Sequence, residues 1–219
     1  MRITAIEPQA HRPQRRNIFV DGRFTLGLDA DIVQAYDLFI GRELSEEELS
    51  QLRDASVEQH AYERALQLLS YRPRSREEIR RRLLRHQTPP VAIARVLERL
   101  EKQGLLNDAE FARYWVENRE QFRPRSGRVL KQELHAHGVD AAIADEAIGQ
   151  ERDGERALLV GRKRLHSLRD ADFPTFRARL GQFLQRRGFS YEIVRQAVHQ
   201  LWREAGHDQD VWDDDEADT

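Results

Sequence analysis

Seven arginines, Arg72, Arg74, Arg76, Arg80, Arg81, Arg82 and Arg85, crowd into fourteen residues opposed only by Glu77 and Glu78. A second basic cluster holds Arg123, Arg125, Arg128 and Lys131, and a third holds Arg162, Lys163, Arg164, Arg186 and Arg187. A guanidinium is a planar fork of N–H donors that grips a carboxylate or a phosphate with two parallel hydrogen bonds. A stripe of them therefore suits an acidic protein surface or a nucleic-acid backbone. On a helix starting near Ser75, Arg76, Arg80 and Arg81 project away from Ile79 and Leu83, because spacings of three and four share a face. The expected partner-binding set is Arg72, Arg74, Arg76, Arg80, Arg81, Arg123, Arg125, Arg128, Lys131, Arg162, Lys163, Arg186 and Arg187. An ordinary solvated helix face has the same composition. Against that, Arg-Pro-Arg-Ser occurs twice at matching positions, and solubility does not require position. A structural cause competes: proline and serine there start a helix.

Other chemistry is thinly represented. Tyr114, Trp115 and Phe122 stand beside Arg113, Arg119 and Arg123 and could stack on bases. Phe111 and Trp115, four apart, read better as a helix core. His135 and His137 fall on different helix faces and lack an obvious third ligand, which argues against a metal. The chain has no cysteine, so neither disulfides nor thiolate sites are available. No glycine-rich phosphate loop is present, and Ser, His and Asp fall into no recognisable triad. The expectation is a binding protein with no catalytic residues, metal or cofactor.

The elements that must position these side chains repeat. Tyr71-Arg72-Pro73-Arg74-Ser75 returns as Phe122-Arg123-Pro124-Arg125-Ser126, and at the same offset Ile79 falls on Leu130 and Leu83 on Leu134. One residue fewer then aligns Ile93 with Ile143 and Ile193, and Leu130 and Leu134 with Leu180 and Leu184. Gly138 aligns with Gly188, and Gln87 takes that place in the first unit. Three units follow, at 57–106, 107–152 and 153–205, each read as three helices. Ser75 with Glu78 is a capping box, and Ile79, Leu83 and Leu84 form the stripe behind it. Thr88-Pro89 signals the next helix start, and Gly104 ends the stripe of Ile93, Val96, Leu97 and Leu100. Asn107, Ser126 and Asp140 open the helices of the second unit. Those of the third run near 154–167, 173–187 and 190–205. Helices this short bury one stripe each, so neighbours must share apolar surface.

Residues 1–54 differ. Residues 16–20 and 24–28 alternate at strand period around Asp21-Gly22, a strong hairpin signal, and Ile3, Ala5 and Pro8 give a weaker third strand. Helices are predicted near 29–37 and over 45–54, the second capped by Ser45 with Glu48. A lone hairpin is marginal in water, so this module must pack on the helices or on a partner. From Glu204 onward lie eight acidic residues and no lysine or arginine, within a chain of formal net charge −2. Without those eight the body carries +6, and residues 206–219 read as a disordered acidic tail. A basic body suggests a polyanionic or acidic partner. The balance of 33 arginines to three lysines also fits GC-rich codon usage. No apolar run approaches the ~20 residues of a membrane span, and residues 1–16 lack the apolar core of a signal peptide. These features place the chain in the cytoplasm, as an expected monomer.

At Ala65-Leu66, Leu69 to Ser75, Glu77 to Leu83, Gly104 to Arg119, Gln132-Glu133-Leu134 and Phe183 to Val198, the chain resembles the RecX family of regulatory proteins. These elements fall in order across all three repeats, and the N-terminal hairpin resembles the leader found in many members. The resemblance implies a mainly α fold of three tandem three-helix repeats behind a small β-hairpin module. It also implies binding in the groove of the RecA–DNA filament and inhibition of the RecA recombinase. The acidic tail is not part of the pattern. Two other functions fit the residues themselves: direct binding of single- or double-stranded DNA by a tri-helical module, and a helical scaffold for another client.

Overall fold

The computed structural model describes residues 1–10, 12–149 and 152–206. The acidic segment 207–219 lies outside them. Glu204, the first of the eight acidic residues, precedes that segment and ends the last helix. Three antiparallel strands open the chain in the order β1 (Ile3–Gln9), β2 (Arg12–Val20), β3 (Arg23–Asp29). Asp21 and Gly22 both have positive φ, 50° and 78°, which is the two-residue turn whose twist matches that of the strands it joins. Ile3, Ile18, Val20, Leu26 and Leu28 are buried in one apolar cluster with Ile32, Leu38, Leu44, Leu49 and Leu52.

Two helices follow the sheet, and both depart from the expected bounds. α1 is Ala30–Ala35, shorter than 29–37, because Asp37 turns left-handed and Leu38 N–H closes on the Val33 carbonyl at 2.9 Å. α2 is Glu46–Leu69, far longer than 45–54. No glycine or proline interrupts residues 46–69, and each half has its own core to cover. Leu49 and Leu52 pack in the N-terminal cluster, whereas Ala61, Tyr62 and Ala65 pack in the first repeat. The boundary expected at 54–57 thus lies inside a helix. Ser45 caps α2 with the reciprocal box that the sequence predicts, Ser45 Oγ accepting from Glu48 N–H and Glu48 accepting from Ser45 N–H.

α3 (Arg76–Arg85) and α4 (Pro90–Lys102) complete the first repeat. Pro90, not Pro89, is the first helical residue of α4, and Thr88 does not cap it. Thr88 N–H is used instead to close α3 on the Leu83 carbonyl at 3.2 Å. The second repeat is α5 (Asp108–Phe122), α6 (Gly127–Ala136) and α7 (Ala141–Ile148). The third is α8 (Asp153–Leu165), α9 (Phe173–Gln185) and α10 (Tyr191–Glu204).

Each repeat has a separate small core. Phe111, Leu130, Leu134 and Ile148 belong to that of the second, and Phe176, Leu180, Leu184 and Trp202 to that of the third. The equivalence of Gln87, Gly138 and Gly188 is physical. All three have positive φ (60°, 79° and 91°), and the residue after each donates to the carbonyl five residues before it, at 3.2, 3.0 and 3.4 Å. This is the Schellman end of a helix, which favours glycine. The chain divides into two compact units, Met1–Asn107 and Asp108–Thr219.

Candidate functional site

In the first repeat the expected arginines are turned onto the protein itself. Arg72 grips the Glu78 carboxylate with two hydrogen bonds, at 2.8 and 3.1 Å. Arg74 Nε donates to the Leu68 carbonyl at 3.0 Å, closing the last turn of α2. Arg76 joins α3 to α4 through Glu101 at 2.7 Å. Arg80 and Arg81 share Glu77, at 2.6 and 2.7 Å. Arg82 and Arg85, on the last turn of α3, are exposed and have no ion pair or side-chain hydrogen bond among the described residues.

Hydrogen bonds from Arg80 first, and from Arg81, hold the Glu77 carboxyl at about 2 against an ordinary 4.5, overcoming the opposing effect of burial. A carboxyl lowered on folding stabilises the fold above 4.5, and that contribution is lost as pH falls toward 2. Carboxyl NMR should accordingly show Glu77 still ionised at pH 3, and Glu77→Gln should remove this part of the acid sensitivity. A midpoint between 4 and 5 would contradict the shared ion pair.

The second and third repeats are joined by residues that the sequence assigns to the stripe. Ser126 N–H donates to the Arg187 carbonyl at 3.1 Å, and Arg187 Nη1 returns a bond to the Pro124 carbonyl at 3.0 Å. Arg125 Nη1 reaches the Arg186 carbonyl at 3.4 Å, and Lys163 Nζ reaches the Gln121 carbonyl at 3.5 Å. Asp153 accepts from Gly127 N–H at 2.7 Å, pinning α8 to the start of α6.

Behind these lies Arg156, only 4% exposed. It is held by Glu120 at 3.0 Å, Asp153 at 3.4 Å and the Ile148 carbonyl at 2.6 Å. Sequence reading missed Arg156, whose partners Glu120 and Ile148 lie outside its own helix. Arg162 is paired with Glu204 by two bonds of 2.8 Å, and Lys131 with Asp145 at 2.6 Å. Of the expected set, Arg123, Arg128 and Arg186 are exposed with guanidinium groups that make no such contact among the described residues.

Trp115 is not open to bases. Its Nε1 donates to Glu133 at 2.9 Å, Arg119 lies 4.3 Å over its ring, and His137 packs 4.2 Å away. Tyr71 and Phe122, the aromatics that precede Arg-Pro-Arg-Ser, are 75% and 67% exposed. Between α6 and α7 runs a groove of about 330 Å³, lined by Arg128, Lys131, Gln132, His135, Val139, Ala141 and Ala144. Arg128 and Lys131 on its rim were legible as members of the basic set, since 128 and 131 share a helix face. Its floor was not, because it forms only when the Gly138 turn folds α7 back. A polar cluster under the sheet also escaped the sequence: Asp29, with Arg15 Nε at 3.7 Å and His60 Nε2 at 4.0 Å. Burial, followed by the charge of Arg15, lowers the pKa of His60.

The chain matches family profiles along nearly its whole length. The Regulatory protein RecX N-terminal domain matches residues 1–45. The RecX first, second and third three-helix domains match residues 61–100, 107–148 and 151–198. Regulatory protein RecX of Bacillus subtilis is 31% identical over 209 residues, covering 94% of this chain and 79% of the relative. That of Streptomyces coelicolor is 36% identical over 146 residues, or 65% of this chain and 78% of the relative. A crystal structure of regulatory protein RecX superposes with a TM-score of 0.71 at 25% identity, covering 90% of this chain and 98% of the other. The protein belongs to the RecX family of regulatory proteins.

Proposed function

We propose that the chain regulates the RecA recombinase by binding the RecA–DNA filament and restraining its ATP hydrolysis and strand exchange. It does so in the cytoplasm as a monomer, by occupying a surface, without making or breaking a bond. The observation that carries this reading is the sorting of the arginines. Internal acids and carbonyls take up Arg72, Arg74, Arg76, Arg80, Arg81, Arg125, Arg162 and Arg187. Arg82 and Arg85 in the first repeat, Arg123 and Arg128 in the second, and Arg186 in the third are left exposed. Of the three basic clusters, the first therefore keeps two exposed cations without such a contact among the described residues, the second two and the third one. Several weak contacts made by one chain on a repeating partner add through effective concentration. The modules we assign are 1–54, 57–106, 107–152 and 153–205, with the acidic segment 206–219 apart from them.

The test is RecA-catalysed ATP hydrolysis on single-stranded DNA, with this protein titrated in below one-to-one. Inhibition at substoichiometric ratios is the expected result. No inhibition, with steeply salt-dependent binding to bare DNA, would overturn the reading in favour of a DNA-binding module.

A further inference from the structure

We infer that the groove between α6 and α7 is a docking site for a protein segment carrying a carboxylate beside a bulky apolar side chain. The inference rests on the function proposed above and takes the segment to belong to a RecA protomer. Arg128, Lys131 and His135 stand on one face of α6 and form the rim. Their charges are not equivalent. Lys131 is already matched by Asp145 at 2.6 Å, whereas Arg128 is exposed and has no partner among the described residues. An incoming anion is therefore drawn to Arg128 and repelled by Asp145, which fixes the direction in which a segment can lie. A guanidinium fork matches a carboxylate in shape as well as charge.

The floor identifies the rest of the occupant. Val139 and Ala144 are nearly fully buried, and Ala141 lines the mouth. A contact made through the phosphate and ribose of a nucleic-acid backbone would bury little apolar surface in this cleft. A leucine, isoleucine or phenylalanine seated there removes its own surface and that of the exposed Ala141 from water. One unpaired guanidinium at the edge of a partly apolar cleft suits a protein anchor site, because arginine is enriched among the residues that carry protein interfaces. A DNA-backbone track would instead string cations along a polar surface.

The test uses full-length protein and RecA filaments assembled on immobilised single-stranded DNA with a non-hydrolysable ATP analogue, read by biolayer interferometry. Ala141→Trp fills the mouth from an exposed position, and Arg128→Glu reverses the free charge. Lys102→Glu, an exposed change in the first repeat, is the control. Each of the first two should weaken filament binding about tenfold, and only Arg128→Glu should change the salt dependence. If Ala141→Trp does not melt cooperatively, Gln132→Trp blocks the same groove from α6.

Wild-type affinity in both groove variants would overturn the docking site and leave the proposed function standing. Loss with Arg128→Glu alone would also overturn it, assigning the position to phosphate contact. Self-association of the chain abolished by the tryptophan would replace the partner with a second copy. Failure of the wild-type protein to bind filaments at all would overturn the proposed function, and this site with it.

Discussion

Replacing Arg156 by alanine should destabilise the second and third repeats by about 3 kcal/mol, the lower end of the cost of breaking a buried ion pair. Arg156 is 4% exposed and satisfies three groups at once: Glu120, Asp153 and the Ile148 carbonyl. Removing it leaves a carbonyl unpaired and two carboxylates facing each other without their cation. The loss sits at the lower end because the Glu120 and Asp153 side chains retain 29% and 25% of their exposure and can recruit water. The damage should not stay local. Asp153 also accepts from Gly127 N–H at the start of α6, so the joint between the repeats loosens. Urea unfolding of the 108–206 region, followed by Trp115 and Trp202 fluorescence, should show the two tryptophans reporting separate transitions in the variant. A midpoint within error of wild type would show that the buried cation is not what holds the joint.

Gly188→Ala should cost about as much, for a different reason. The residue has φ +91°, where a side chain meets its own backbone at about 1–2 kcal/mol. A Cβ there would also stand 2.3 Å from Val129 Cγ2 and 2.8 Å from Ser126 Oγ. Ser126 is fully buried and caps α6, so it has little freedom to move, and overpacking of this kind adds about 1–3 kcal/mol. We expect a total of about 3 kcal/mol. Gly104 is the internal comparison: its φ is +68° but nothing lies within 4 Å of an added Cβ. Gly104→Ala should lose about 1 kcal/mol, the backbone cost alone. Equal losses at the two glycines would mean that the contact with the second repeat adds nothing.

The repeat was legible because helix ends are local. The alignment of Gln87 with Gly138 and Gly188 needs only the turn each occupies, and the left-handed backbone is present at all three. The apolar stripe of Ile79 and Leu83 is likewise a matter of spacing, and both are fully buried. What spacing does not reveal is where a long side chain ends up. Glu77 and Glu78 count as two opposing charges in the sequence, yet in the fold they occupy three arginines, Arg72, Arg80 and Arg81. Arg76 meets an acid on the next helix, and Arg187 meets a carbonyl of the preceding repeat. No local pattern marks those partners. Twice-repeated Arg-Pro-Arg-Ser also has two different uses. Arg74 closes α2 within the first repeat, while Arg125 ties the second repeat to the third. The length of α2 escaped for a related reason: the two cores that divide it are defined by what packs on it, not by its own residues.

We propose that, within the three basic clusters, the exposed arginines without a partner among the described residues carry the interaction with the filament. The measurement is inhibition of RecA ATP hydrolysis by a variant with Arg82, Arg85, Arg123, Arg128 and Arg186 all changed to glutamate, its fold checked by circular dichroism. Arg95→Glu with Lys102→Glu, on α4, serves as the control. At least about a tenfold loss of inhibitory potency, with the control unaffected, is the predicted result. Full inhibition by the folded five-site variant would contradict it.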